Sequence, residues 1–555
     1  MTGPPQSVRS GAILSDILEG HGRARADHPA LLFLERGEAV TARLTYGELM
    51  AAAGALAGGL HDTGLAGVPV VLALPPGPGF VIALLACLRA GAIAVPVPFP
   101  AAGEARARLE GILADLGGGA VLAEPGATLD SRGLRRLDPM ALAASGPAPS
   151  RPSPDAPAVI QYSSGSTQAP RGIVISQANI IANQAMIGEI FQSTPASVVV
   201  NWLPPHHDMG LFGALLYPLF AGATTVLMPP FAFIQNPRRW LEAISRHRGT
   251  VAGAPNFGFD LCVRRVPAER VDGLDLSTLE VAFCGSEPIR TESLRRFAGR
   301  FAAAGFDPSI FLPCYGLAEA TLLVTSVSKG VGVREVALGE AHDERRHVSC
   351  GHAPAGCHVT IRDPDSGLEL PPPAVGEICV SGPHVAIGVW DGGTQTVAPL
   401  PGIAGAGADR RLHTGDVGAL TSAGLVVLDR IKDIVIVRGR NIYATDVEAV
   451  AFGVAQGVVP AAATFAVHEA DVERLVLVCE IAVKERGATD LVRLRQMLSE
   501  AVGQSCGFVP TVKFVAFGAL PRTTSGKVRR QAARRLFIEG GLKLLKAEGA
   551  TWASV

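Results

Sequence analysis

Short β-rich apolar runs alternate with Ala/Leu/Arg-rich helical stretches from about residue 40 to 325, and this alternation constrains the fold more than any other feature. The runs are VPVVLALPP, AIAVPVPF, PAVIQYSS, SVVVNWLPP, TTVLMPP, LEVAFCGSEP and SIFLPCYG. Such a rhythm builds parallel sheets with crossover helices. Several runs end directly in small or polar residues, and ligands of open α/β sheets bind at the carboxyl ends of strands. Ser163, Gly285 and Tyr315 are therefore expected to converge although far apart in the chain. Beyond about residue 345 the rhythm changes to closely spaced strands, HVTIRD, GEICVSG and GLVVLDR, which predict an antiparallel β subdomain. After Lys432 come IVIVRG, a helix from Asp446, TFAVHE, RLVLVCEIAV, a helix from Asp490 and VKFVAFG. This reads as a compact α+β unit able to fold alone.

With 555 residues the chain needs at least two domains. The expected division is an N-terminal region, 1–430, and a C-terminal domain, 431–555. The balance of 49 Lys+Arg against 50 Asp+Glu provides no global field for nucleic acid or an anionic membrane, and neither partner is expected. Residues 209–237 carry no charge and are long enough to span a bilayer, but Pro218, Gly222, Pro229 and Pro230 interrupt them. A buried helix-turn-strand is the better reading, and no membrane span is expected. The first fifteen residues lack the apolar core of a secretory signal. Nine cysteines, an odd number with no C-x-x-C pair, point to a reducing cytoplasm rather than a disulfide framework. Two His-rich stretches invite a metal reading. The neighbours His206, His207 and Asp208 cannot readily all face one ion, and His347, Cys350, His352, Cys357 and His358 match no common zinc spacing.

Four segments carry chemistry. YSSGSTQAPRG (Tyr162 to Gly172) follows an apolar strand and offers hydroxyls, backbone N–H groups and a close-approach glycine, which suit a phosphate cradle. It lacks the Walker A Lys-Ser/Thr pair. FLPCYGLAEAT sets Tyr315, able to stack on a base, four residues before Glu319, a carboxylate able to hold Mg²⁺. RLHTGDVG places Asp416 in a turn, where it could grip ribose hydroxyls or cap the turn. LPRTTSGKVRR puts Lys527 on a Gly/Ser/Thr-rich loop beside Arg522, Arg529 and Arg530, either a basic surface loop or a lysine presented to phosphate.

In this order and spacing the four segments resemble the adenylate-forming superfamily over roughly residues 40–535. Within it the chain is most similar to the fatty acyl-AMP ligases, through QYSSGST, NWLPPHHDMGLFG, NPRRWLEAISRHRGTVAGAPNFGFDLC, CYGLAEATLLV, VSCG and IVIVRGRNIYATDVE. The fold implied is α/β, with two mixed or parallel sheet subdomains and a β subdomain, followed by a small mobile α+β domain. The activity implied uses ATP and Mg²⁺ to convert a hydrophobic carboxylic acid into its acyl-AMP.

The resemblance assigns Ser163, Ser164, Gly165, Ser166, Thr167, Arg171 and Gly172 to the phosphate loop, with Thr167 and Glu319 at the metal. It assigns Gly285, Ser286, Glu287, Pro288 and Tyr315 to the adenine slot, and Asp416 and Arg430 to the ribose. Lys527 stabilises the reacting phosphate in this reading, together with Glu319 and His207 as catalytic residues. Trp202, Met209, Phe212, Ala254, Asn256 and Phe257 line the acyl channel, and Lys432 is the hinge of the mobile domain. Ser163 stands where the family commonly has Thr, Gln168 where it has Gly, and Arg171 where it has Lys.

The implied acceptor is the phosphopantetheine thiol of an acyl carrier protein. The alternative is an acyl-CoA ligase, because the stretch between Glu319 and Gly351 is intermediate in length between the two types. A third alternative, an inactive adenylate-binding scaffold, would be expected to lack Lys527, Glu319 or Asp416, and all three are present.

Overall fold

A computed structural model describes residues 11–99, 104–142, 150–163, 170–338, 346–437, 440–469, 472–485, 487–522 and 527–545. The chain forms two compact units, one of residues 1–414 and 419–427, the other of residues 415–418 and 428–555.

The first unit contains two eight-stranded sheets. In one, the strands run in the order Leu323–Ser326, Phe311–Gly316, Val281–Cys284, Val251–Ala254, Val198–Asn201, Thr224–Leu227, Pro29–Phe33 and Ala42–Thr45. The six central strands are parallel and the two edges antiparallel. The second sheet has the order Thr396–Ala398, Gly388–Asp391, Arg171–Ser176, Pro157–Ser163, Ile93–Pro96, Pro69–Ala73, Ala120–Ala123 and Arg135–Leu137. Each of the seven apolar runs read from the sequence contains one of these strands. They are buried on both faces, which is why they read as continuous apolar runs rather than as alternation.

The charge-free segment folds as expected in outline: helical turns, then a strand at Thr224–Leu227. Its first part, Met209–Leu216, is π-helical rather than α-helical, with the Asp208 carboxylate accepting the Met209 N–H at 2.7 Å. Gly210 explains the close seat of this helix, since a Cβ there would lie 2.2 Å from the Pro204 carbonyl oxygen. The apolar helix Pro78–Ala90 stops at Gly91, whose φ of 71° is left-handed. Among the described residues no helix is long and apolar enough to cross a membrane.

The closely spaced strands beyond residue 345 form the antiparallel ladder His358–Arg362 with Val375–Ser381, in a sheet that also holds Arg411–Thr421 and Gly424–Arg430. The His/Cys-rich stretch wraps this region. His352 bridges to Ser326, and the buried Cys357 thiol donates to the Val324 carbonyl.

In the second unit, strands Ala462–Glu469, Val472–Ile481 and Thr511–Ala516 form one sheet, flanked by helices Ala444–Val454, Leu491–Cys506 and Arg530–Ile538. Asp490 caps the middle helix by accepting the N–H groups of Val492 and Arg493. The first helix begins two residues before the Asp446 start read from sequence. Arg530 is mostly buried and pairs with Glu448 at 2.8 Å, Asp429 at 3.2 Å and Asp433 at 3.5 Å. It is thus an interior cation, not part of a basic surface loop. Removing one partner from a buried ion network leaves uncompensated charge, so Arg530→Met should destabilise the protein by about 3–5 kcal/mol in urea titration. An unchanged midpoint would show that the network contributes nothing to stability.

Candidate active site

In the first unit, a cavity opens beside the carboxyl ends of strands Val281–Cys284 and Phe311–Gly316. Asp208, Ser286, Tyr315 and Gly316 give it a polar side; Met209, Phe283 and Leu323 are among its apolar walls. Three residues assigned from sequence, Met209, Ser286 and Tyr315, therefore meet in one cavity.

The backbone around them is tightly constrained. A Cβ at Gly285 would lie 2.8 Å from both the carbonyl oxygen and the sulfur of Cys314. One at Gly316 would lie 1.9 Å from the Leu322 carbonyl oxygen. Ser286 then turns with φ of 71°, a left-handed value uncommon for a residue with a side chain. Glu287, read as part of the adenine slot, accepts the Phe257 N–H at 2.6 Å and so caps the helix Asn256–Arg265. Asn256 accepts the Arg290 N–H at 2.9 Å. The turn Gly285–Pro288 and this helix are thereby tied together.

Glu319 sits half-buried in a single 3₁₀ turn, Ala318–Ala320. Its carbonyl accepts the Ala386 N–H at 2.9 Å. Thr321, at φ 63°, donates its hydroxyl to the His384 carbonyl at 2.7 Å. Two contacts with one crossing segment thus hold a strained turn immediately after the carboxylate.

The phosphate-loop assignments Ser164, Gly165, Ser166 and Thr167 lie outside the described residues, and Ser163 is described only as the end of its strand. The strands flanking the loop are described. Arg108 donates to the Tyr162 carbonyl at 3.0 Å, and the Tyr162 hydroxyl donates to Asp115 at 2.7 Å, so one helix clamps the strand at the loop's entry. Gly172 pairs with Tyr162 across the ladder, and a Cβ there would lie 2.6 Å from Ile160. Arg171 is exposed beside it.

The remaining acyl-channel candidates do not line the cavity. Trp202 stacks on Phe233 at 3.8 Å and meets Phe257 edge-on at 6.0 Å. Phe212 and Ala254 are fully buried. Four residues after Trp202, burial and the nearby Arg108 charge push the His206 imidazole down to about 3, so it is neutral. His207 lies against it with ring centroids 4.5 Å apart.

The second unit carries the other assigned residues. Asp416, largely buried, accepts from Arg430 Nε at 2.9 Å, which brings the two ribose candidates together. Lys432 is exposed in the turn Ile431–Asp433, whose carbonyl at 432 accepts from Gln531 at 3.2 Å. Lys527 precedes the short bridge of Arg522 with Val528 that closes its loop. Arg522 pairs with the fully buried Glu480 at 2.7 Å, and Glu480 also accepts the Leu520 N–H. The base of the lysine loop is therefore anchored in the unit's interior.

Residues 18–390 match the AMP-binding enzyme family. The chain belongs to that family. It is 34% identical, over 95% of each chain, to the medium-chain-fatty-acid acyl-carrier-protein ligase JamA of Moorena producens. It is also 34% identical to the long-chain-fatty-acid AMP ligase FadD26 of Mycobacterium marinum, over 96% of this chain and 98% of that one. Among solved structures it superposes with a TM-score of 0.83 on a fatty acyl-adenylate ligase from a study of the E. coli and L. pneumophila enzymes. That match is 32% identical and covers 96% of this chain and 99% of that one. The family placement, on its fatty acyl-AMP ligase side, agrees with the motifs, and enzymes of this adenylate-forming type use ATP.

Sequence reading missed much of the cavity wall, including Phe191, Phe283, Cys314 and Leu322, because strand and helix patterns mark these as core. Burial pushes the Cys314 thiol up to about 12. The thiolate is the nucleophile, and at pH 8 only about one thiol in 10,000 would carry it. Iodoacetamide should therefore label Cys314 far more slowly than free cysteine at pH 8, with a rate still rising above pH 9. Rapid labelling at pH 8, read by peptide mass spectrometry, would contradict this environment. At the turn, Gly316→Ala should lower stability by about 1–3 kcal/mol, since the added methyl meets backbone that cannot swing aside. A thermal midpoint equal to that of the parent would exclude the constraint.

Proposed function

We propose that the protein activates a fatty or related hydrophobic carboxylic acid with ATP, forming its acyl-AMP, and passes the acyl group to the phosphopantetheine thiol of an acyl carrier protein. The observation that carries this reading is the largely apolar cavity at the strand ends, with Asp208, Ser286 and Tyr315 among its lining residues, in a chain similar along its length to ligases of this kind. A cytoplasmic setting fits the nine free cysteines, all buried or half-buried.

In the first step a carboxylate oxygen attacks the α-phosphorus, and the bond to the departing pyrophosphate breaks. Two anions must approach, so a fixed cation at the reacting phosphate lowers the barrier, and Lys527 is the residue we assign to it. Tyr315 and Ser286 flank the base, and the Asp416 carboxylate takes ribose hydroxyls while Arg430 holds it in place. Glu319 offers a hard oxygen donor of the kind Mg²⁺ prefers, with Thr167 as the second candidate ligand. When bound, Mg²⁺ would neutralise phosphate charge. In the second step the thiol sulfur attacks the acyl carbon and AMP leaves.

We assign Lys432 as the pivot between the two steps, a role that needs only a few residues to absorb backbone rotation. The ladder of Glu335–Ala337 with Arg346–Val348 lies in the stretch between Glu319 and Gly351 whose length bears on the choice between carrier protein and CoA. Residues 339–345 lie outside the described residues.

The deciding experiment is acid-dependent ATP–pyrophosphate exchange, followed by presentation of holo-carrier protein or CoA. Lys527→Ala should lower exchange roughly 100- to 1,000-fold while largely sparing transfer from a supplied acyl-adenylate. Lys432→Pro should do the reverse, because proline fixes φ. Equal loss of both half-reactions in both variants would remove the assigned division of roles, and CoA consumed as fast as adenylate forms would make the protein an acyl-CoA ligase.

A further inference from the structure

A group of side chains in the antiparallel sheet of the first unit has the make-up of a metal site. Glu377 and Cys379 stand two residues apart on the strand Val375–Ser381, and side chains alternate along a strand, so both lie on one face. His413 meets them from the neighbouring strand Arg411–Thr421, which the Thr414 hydroxyl ties to the Ile378 carbonyl at 2.7 Å. One nitrogen, one sulfur and one carboxylate oxygen of the three all lie within 4.8 Å of one another. Among the described residues no other three His, Cys, Asp or Glu side chains converge so closely. Glu377 and Cys379 are buried, and the 27% exposure of the His413 side chain gives an ion a way in.

As hydrogen bonds, the contacts within this group compete. His413 Nδ1 lies 2.7 Å from Glu377 Oε2 and 3.5 Å from Cys379 Sγ. A ring nitrogen that donates its proton to the carboxylate has no lone pair left for the thiol, and one that accepts from the thiol turns its lone pair on the carboxylate. A cation removes the conflict, because it takes a lone pair from each group. Bonds of about 2.3 Å to sulfur and about 2.0–2.2 Å to nitrogen and oxygen in a tetrahedron put N···S at about 3.6 Å and N···O at about 3.4 Å. The sulfur already stands at that spacing, and the flexible Glu377 side chain has to open by about 0.7 Å.

The charges are balanced as well. A carboxylate and a thiolate bring two negative charges to a divalent ion. Of the nearby cations, Arg362 is engaged by Glu369 at 3.1 Å and the Gly367 carbonyl at 2.7 Å, and Arg411 by the Asp409 carbonyl at 3.2 Å. Burial, and after it the Glu377 charge, push the Cys379 thiol up to about 12, so the group is not a cysteine nucleophile poised beside its base.

We propose that Glu377, Cys379 and His413 bind a zinc ion, with water as the fourth ligand. The ion takes lone pairs from His413 Nδ1 and Glu377 Oε2, while the Cys379 thiol passes its proton to solvent and binds as the thiolate. Sulfur and imidazole donors select Zn²⁺ over Mg²⁺, which takes oxygen ligands. The site is thus distinct from the Mg²⁺ that accompanies ATP, and it stands independently of the adenylation reading.

The test takes the full chain, stripped of metal by a chelator, and titrates it with Zn²⁺ against a chromophoric competitor and separately with Co²⁺. One equivalent of Zn²⁺ should bind in the presence of excess Mg²⁺, and Co²⁺ should give a near-ultraviolet thiolate-to-cobalt charge-transfer band. Cys379→Ser should abolish the band. His413→Gln should weaken Zn²⁺ binding by at least about tenfold, the lower end of what the loss of even an outer partner of a ligand costs. Circular dichroism shows whether each variant is folded, and Glu377→Gln, close in size to the parent residue, serves if either of the others is not. Failure to hold Zn²⁺ against the competitor, displacement of Zn²⁺ by Mg²⁺, or folded variants that bind as the parent does would each overturn the site, whatever the outcome of ATP–pyrophosphate exchange.

Discussion

Everything around the cavity depends on how closely two strand ends approach each other and their neighbours. Gly285 and Gly316 each stand where a single added carbon would strike backbone oxygen. Their contact fixes the turns that present Ser286 and Tyr315 to one space. Main-chain atoms cannot move aside as a long side chain can, so these positions are set more rigidly than side-chain packing alone would achieve. The same rigidity extends to Glu319, because the strained Thr321 that follows it is held by the segment carrying His384 and Ala386. Strain of this kind persists only where the surroundings over-determine it.

The second unit uses a different device, buried charge. Arg530 and Gln531 begin the helix Arg530–Ile538, a few residues after Lys527, and both contact the segment that contains Lys432. Arg522, on the other side of the lysine loop, is fixed to the buried Glu480. The assigned pivot and the assigned catalytic lysine are therefore joined through a few charged contacts within one unit. Burial pushes the Asp429 carboxyl up to about 6 despite its pairing with Arg530. A raised carboxyl value means the folded state holds the proton more tightly, so this group's contribution is present at low pH and lost as pH rises through about 6. That cost belongs to Asp429 alone: the surrounding Glu448, Asp429 and Asp433 carboxylates raise the Arg530 guanidinium and hold it charged, so the cation remains paired at neutral pH.

Much of the architecture was legible because buried parallel strands leave continuous apolar runs bounded by turn residues, a pattern that survives without tertiary knowledge. Met209, Ser286 and Tyr315 were singled out from the sequence because they lie in motifs that follow apolar strands, and the fold brings the three to one cavity. The wall was not. Phe191 and Phe283 belong to a helix and a strand whose patterns mark them as core, and only the fold reveals that one face of each ring borders a cavity. Glu287 illustrates the opposite case: the motif drew attention to its carboxylate, yet part of its role is to cap a helix that begins thirty residues earlier. Trp202, also drawn from a motif, stacks within an aromatic cluster. A motif locates a residue near the chemistry, but the direction of its side chain is decided by packing.

In the proposed adenylation reading, the cavity's chemistry favours one orientation of the acid over the other. Most of its lining is apolar, and its one thiol, Cys314, stays protonated at neutral pH. Nothing among the lining residues there would compensate a carboxylate, whose burial without a partner costs several kcal/mol or more. The hydrocarbon tail gains by the same transfer, at about 0.8 kcal/mol per methylene. Both effects favour the tail among the apolar lining residues and the carboxyl group beside Asp208, Ser286 and Tyr315. The negative charge of Asp208 lies on that side, but it is engaged by the Met209 N–H at the start of the π-helix, where the helix end offsets part of it. In that reading, orientation follows from desolvation before any specific contact to the carboxylate is made.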